Sequence, residues 1–168
     1  MAISMYRASV PVFVQILNAL SGVLKKAAAH AEAKKIDPAA LLTARLYPDM
    51  FALTKQVQIA CDFAKGCPAR LAGVDIPKYE DNEASFADLD ARIAKTVAFL
   101  GTLKPAQIDG SEEKVISLTI GGKPMEFDGL TYLLNFAAPN FYFHVTTAYD
   151  LLRHNGVELG KRDFMGVR

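Results

Sequence analysis

The chain has 168 residues, room for one sizeable domain spanning 1–168 and hardly for two. Apolar residues make up 51% of it and charged residues 22%, which excludes a disordered chain. Lys and Arg nearly balance Asp and Glu; the net charge of +1 gives no field to draw the chain onto nucleic acid or an anionic membrane. So apolar a chain with so little charge is poorly suited to staying monomeric. A partner surface or an apolar interior site is expected.

The first helix is expected from about Ser9 to Lys35. Tyr6, Val10, Phe13, Leu17, Leu20 and Leu24 recur at steps of three and four, one face of a helix. Ser9 reads as its N-cap with Pro11 in the first turn, leaving residues 2–8 as a separate lead-in. Arg7 followed by the apolar stretch Val10–Leu20 has the outline of a secretory leader. Gln15 and Asn18 interrupt it, and no small-residue cleavage site follows closely. No run of about 18 apolar residues exists, so no membrane span is expected.

Asp37-Pro38 opens a second helix, with Leu42, Leu46, Met50, Leu53, Val57 and Ala60 on one stripe. Pro48 predicts a break near Tyr47, and Gly66 with Cys67-Pro68 predicts the end. Residues 67–84 read as a surface loop carrying Glu80, Asp81 and Glu83. Ser85-Phe86-Ala87-Asp88 is a capping box for a third helix striped by Phe86, Leu89, Ile93, Val97 and Leu100. From Lys114 to Ile120 the period drops to two. Gly121-Gly122 then marks a hairpin turn, and Met125 and Phe127 resume the alternation after Pro124. Asp128 caps the last helix, whose stripe includes Leu130, Leu133, Leu134, Ala137, Phe141, Val145, Ala148 and Leu152. Pro139 predicts a kink or restart in it, and Gly156 its end. The fold class is all-α: a four-helix bundle with a small β-hairpin inserted between helices three and four.

No Gly-rich phosphate loop, nucleophile elbow or zinc-protease motif is present. Cys61 and Cys67 are not a C-x-x-C pair. They read as buried or half-buried thiols of a cytoplasmic protein. His30 and His154 fall on solvated helix ends. His144 lies on or beside the apolar face, three residues after Phe141 and four after Asn140. It is either a core histidine held by one hydrogen bond or a ligand or proton-handling group in a bundle cavity. Tyr149, Asp150 and Arg153 make a polar face beside it, and helix two offers Gln56, Gln58 and Asp62. Gln58 and Asp62 are four apart and share a face. An inward Asp62 needs a partner.

The stretch PNFYFHVTTAYDLLRHNGVELGKRDF at 139–164, with MYRASVPVF at 5–13, resembles an uncharacterised bacterial family in the DinB/YfiT-like superfamily. The resemblance implies a four-helix bundle, often dimeric, with a pocket between the helices. Metal-binding members use three His, one on helix two and an H-x-x-x-H pair on the last long helix, so a divalent metal, zinc or nickel, is the cofactor to weigh for this chain. Some members are thiol-dependent transferases or isomerases. Leu152-Arg153 stand eight and nine residues after His144, with Gly156 following, so His144 matches the second His of the pair. The first is replaced by Asn140. The helix-two position falls at or near Gln58, with Gln56 and Asp62 within a turn. One imidazole with two amides is a weak site for zinc or nickel.

Three readings follow. In the first, a degenerate site that has lost its metal, lined by His144, Gln58, Asp62, Asn140 and Tyr149, binds a small molecule. In the second, a transferase or hydrolase uses His144 with Asp62 or Tyr149, with or without a metal. In the third, the chain is an interaction protein. A homodimer is expected through Phe141, Tyr142, Phe143, Phe164 and Met165.

Overall fold

A computed structural model describes residues 3–167. Helix α1 runs Met5–Lys34 and α2 Pro38–Leu42; an irregular stretch at 43–52 leads into α3, Leu53–Ala72. Helix α4 spans Phe86–Thr102 and the short α5 Pro105–Ile108. Strands β1, Ile116–Ile120, and β2, Lys123–Phe127, form an antiparallel hairpin in which Thr119 pairs with Pro124. Gly121 and Gly122 both adopt positive φ, at 56° and 80°, which a two-residue turn of this hand requires. The last long helix has three parts: α6, Gly129–Thr131; a π-helical turn, Tyr132–Ala137; and α7, Ala138–His154. Helix α8, Lys161–Met165, closes the chain. The all-α bundle with its hairpin before the last long helix stands as the sequence implied.

The four long helices meet in one core. Phe13, Leu17, Leu20 and Leu24 of α1 face Val57, Ala60 and Ala64 of α3, Leu89, Ile93 and Leu100 of α4, and Phe141, Val145 and Ala148 of α7. Helix α1 is long and apolar enough to cross a membrane by length and composition alone. Its apolar stripe is buried in the bundle, and a core helix passes the same test.

Several boundaries depart from the sequence reading. Helix α1 begins four residues before Ser9 and is capped by Ser4, whose hydroxyl accepts from Arg7 N–H. The Ser9 hydroxyl turns back to the Met5 carbonyl at 2.7 Å. Pro11 is therefore tolerated inside the helix, because it and Arg7 lie on the exposed face, where water can reach the carbonyl the proline leaves unbonded. The supposed lead-in is thus helical from Met5; Ala2, at its start, lies outside the described residues, as does Arg168 at the end of the tail.

The break expected near Tyr47 is present and divides the second helix into α2 and α3, with residues 43–52 irregular between them. The stripe fails where Leu46 turns outward, between α2 and α3. Helix α3 passes through Gly66 and Pro68 and stops at Gly73, which takes the left-handed cap with φ 71°. Gly66 lies inside the helix, where its missing Cβ leaves room for the Arg70 guanidinium, 2.6 Å from where a Cβ would stand. Arg70 in turn donates to the Tyr132 hydroxyl at 3.1 Å. The loop thus starts at residue 74, not 67. Asp128 caps the last helix as expected. The kink or restart expected at Pro139 is a restart: α7 begins at Ala138 with Pro139 in its first turn, directly after the π turn in which Ala138 N–H reaches back five residues to the Leu133 carbonyl. Leu130 and Leu134, assigned to the apolar stripe, are exposed. Helices α5 and α8 are too short for periodicity to reveal.

Candidate functional site

Helix α3 presents two polar faces. Gln56 looks toward α7; Gln58, Cys61, Asp62 and Lys65, spaced i, i+3, i+4 and i+7, share the other face with α4 and the 74–85 segment. The sequence reading merged these faces into one site.

On the first face, His144 is buried at 8% exposure and its Nδ1 lies 2.7 Å from Gln56 Oε1. The Gln56 amide NH2 donates to the Phe51 carbonyl at 3.0 Å, which fixes the amide orientation. His144 Nδ1–H therefore donates to Gln56, and the ring's proton sits on Nδ1. Nε2 is left with its lone pair. It bonds to no described residue, yet it is not among the sealed, unpartnered buried atoms, so solvent reaches it. The Phe63 ring lies nearly parallel to the imidazole at 6.1 Å and Phe143 meets it edge-on at 5.3 Å. Burial pushes the His144 pKa below its ordinary value of 6.5, so the ring is neutral at pH 7. Asn140, one turn earlier and half-buried, donates through Nδ2 to the Phe136 carbonyl at 2.7 Å and leaves Oδ1 unpaired among the described residues.

The remaining expected site residues are engaged elsewhere. Gln58 donates to Glu83 at 2.7 Å. Asp62 pairs with Lys65 and, at 2.9 Å, with Arg92. Tyr149 packs edge-on against Phe164 at 5.9 Å. None of the three is hydrogen-bonded to His144, whose partner is Gln56, with Asn140 one turn before it on α7. Clefts of about 420 Å³ between α1 and α8 and about 360 Å³ beside Arg92 are not lined by His144.

The donor set does not fit a three-imidazole metal centre. Gln56 Oε1 is occupied by His144, and the Asn140 amide is anchored to the backbone. One imidazole nitrogen and one amide oxygen remain, a poor set for zinc or nickel. Among the described residues no group of three or more His, Cys, Asp and Glu is placed to hold a metal ion.

The second face centres on Arg92, which sequence reasoning missed. Its side chain is 1% exposed and reaches Asp62 at 2.9 Å, Asp81 at 3.0 Å and Glu83 at 2.9 Å. The available signal was a charged residue among Leu89, Ile93 and Thr96 on a buried stripe, which can only be there with partners. The Lys55 hydrogen bond, with Arg92 behind it, holds Asp81 below the usual carboxylate range. Burial alone would raise Glu83, but hydrogen bonds from Arg92 and Gln58 outweigh it and hold that carboxyl low.

Residues 5–165 match the family described as a domain of unknown function, DUF1993. The chain is also similar to the crystal structure of a DinB family member protein from Shewanella denitrificans. The two are 41% identical, with a TM-score of 0.88, over 97% of this chain and 92% of that one. None of the curated proteins matches.

Proposed function

The chain belongs to the DinB-like family described as DUF1993, and from that premise we propose that it binds a small polar molecule at His144, through a site that has lost its metal. The observation carrying this reading is the Gln56–His144 hydrogen bond, which leaves a neutral, basic Nε2 accessible to solvent. With Asn140 Oδ1 also unpaired, the site offers acceptors and takes a ligand that donates, with Phe63 and Phe143 as its apolar walls. The test is a thermal-shift screen of neutral alcohols, phenols and amides. Hits that raise the Tm of the wild type and not of His144→Ala are expected. Hits that stabilise both proteins equally would overturn the reading. So would stoichiometric transition metal in the purified protein whose removal lowers stability.

The same atom supports a second reading. A neutral imidazole with a free Nε2 is what a general base needs, so a transferase or hydrolase could abstract a proton there. Its supposed helpers, Asp62 and Tyr149, are committed to Arg92 and Phe164, which favours binding over turnover. A homodimer and a cytoplasmic location complete the proposal. Phe143, Tyr142, Leu130 and Leu134 on the last long helix, with Met165, present exposed apolar surface for a second copy. The two free, buried thiols suit a reducing compartment.

A further inference from the structure

Between residues 75 and 83 no backbone N–H or carbonyl bonds to another backbone group among the described residues. The segment is neither helix nor strand, and side chains alone attach it to the bundle. One guanidinium is the hub of that attachment. Arg92 NH1 donates to the Glu80 carbonyl at 3.3 Å and to Glu83 at 2.9 Å and is ion-paired with Asp81 at 3.0 Å, while NH2 reaches back to Asp62 on α3. Lys55 and Gln58 add one bond each, to Asp81 and Glu83. Tyr79 is held by cations: its ring lies 4.0 Å from Lys95 Nζ, 4.6 Å from Lys65 Nζ and 5.2 Å from the Arg92 carbon.

Two atoms in this closed arrangement are unsatisfied. The Tyr79 hydroxyl and Arg92 Nε are both buried without a partner. The fully buried Cys61 thiol neighbours Tyr79 and Thr96, with its pKa raised to about 12 by burial. A segment without backbone hydrogen bonds, held by a few side chains, belongs to the low-stability end of a fold.

We propose that residues 75–84 form a strap latched by Arg92, which opens locally and uncovers Cys61 while the helices stay packed. The reporter reaction is alkylation by iodoacetamide. The Cys61 sulfur forms a bond to the reagent's methylene carbon, iodide leaves, and the thiol proton passes to buffer. Cys67 is the internal control, because it is equally buried but neighbours Arg70 and Tyr132 instead of the strap. Trypsin separates the two, since Lys55, Lys65 and Arg70 place Cys61 in 56–65 and Cys67 in 66–70.

Asp81→Asn and Glu83→Gln each weaken the latch from the strap side. Each is expected to speed Cys61 labelling about tenfold, the effect of one lost charge-assisted bond on an opening equilibrium, with Cys67 unchanged. Unchanged Cys61 rates in both variants overturn the proposal, as does a parallel rise at Cys67, which marks global unfolding. Hydrogen exchange of the wild type tests the same idea without substitution. Amides of 75–83 should exchange far faster than those of α3 and α4, and equal protection would overturn it.

Discussion

His144 is buried in its neutral form, and that has a pH consequence of definite sign. Its folded pKa lies below the ordinary value of 6.5 because burial disfavours the charged ring. The unfolded chain therefore takes up the proton first as pH falls. The stability this group contributes is full above the unfolded value and drains away on the acid side. Urea unfolding of the wild type should show stability falling from pH 7 toward pH 5, and His144→Gln should lack that part of the slope. Identical slopes would mean that the ring is not buried neutral. Sequence alone singled out His144 by its place on the apolar face. Its partner was not settled, because a register uncertain by one turn cannot separate Gln56 from Gln58, two residues apart on opposite sides of one helix. The walls Phe63 and Phe143 were invisible as a site, since an aromatic side chain looks the same to periodicity whether it fills a core or flanks an imidazole.

Elements with strong local chemistry were the legible ones. Ser85, Asp128 and the Gly121-Gly122 turn each act through a bond or dihedral fixed within a few residues. Errors came where tertiary packing overrode a local signal. Gly66 and Pro68 say stop, but burial on every side and the Arg70–Tyr132 bond carry α3 onward. Gly129 shows the same principle from the other side. A Cβ there would stand 2.0 Å from the Ser111 carbonyl oxygen, because the loop after α5 packs directly onto the start of the last helix. Backbone cannot retreat as a flexible side chain can. Gly129→Ala is expected to cost ~2 kcal/mol or more, read as a fall of several degrees in Tm by calorimetry. An unchanged Tm would show that the loop yields.

At the scale of the molecule, the high apolar fraction is largely accounted for by the four-helix core, with an exposed remainder. The triplet Phe141-Tyr142-Phe143 divides as its geometry demands. Phe141 is fully buried edge-on against Phe13 at 4.8 Å, which removes it from the expected dimer contact, while Phe143 is 57% exposed. Phe164 is half-buried against Tyr149, leaving Met165 as the outward residue of the tail. If the outer face of α7 joins two copies, light scattering should give twice the chain mass for the wild type and the single-chain mass for Phe143→Lys. A monomeric wild type would refute the dimer. The bundle was legible because four amphipathic stripes leave few alternatives. The division of α3 into two polar faces was not, because it depends on which neighbour each side of that helix meets.

The π turn at Tyr132–Ala137 bears on how relatives of this chain should be aligned. Such a turn is one residue longer than the α-helical turn it replaces. One residue on a regular helix corresponds to a rotation of about 100°. A relative lacking the extra residue would present the same α7 face with its counterpart of His144 one position nearer the hairpin. Counting forward from the hairpin would then misassign the site, whereas counting back from the left-handed Gly156 would not. The glycine that ends the helix is thus the safer origin for locating the imidazole across the family.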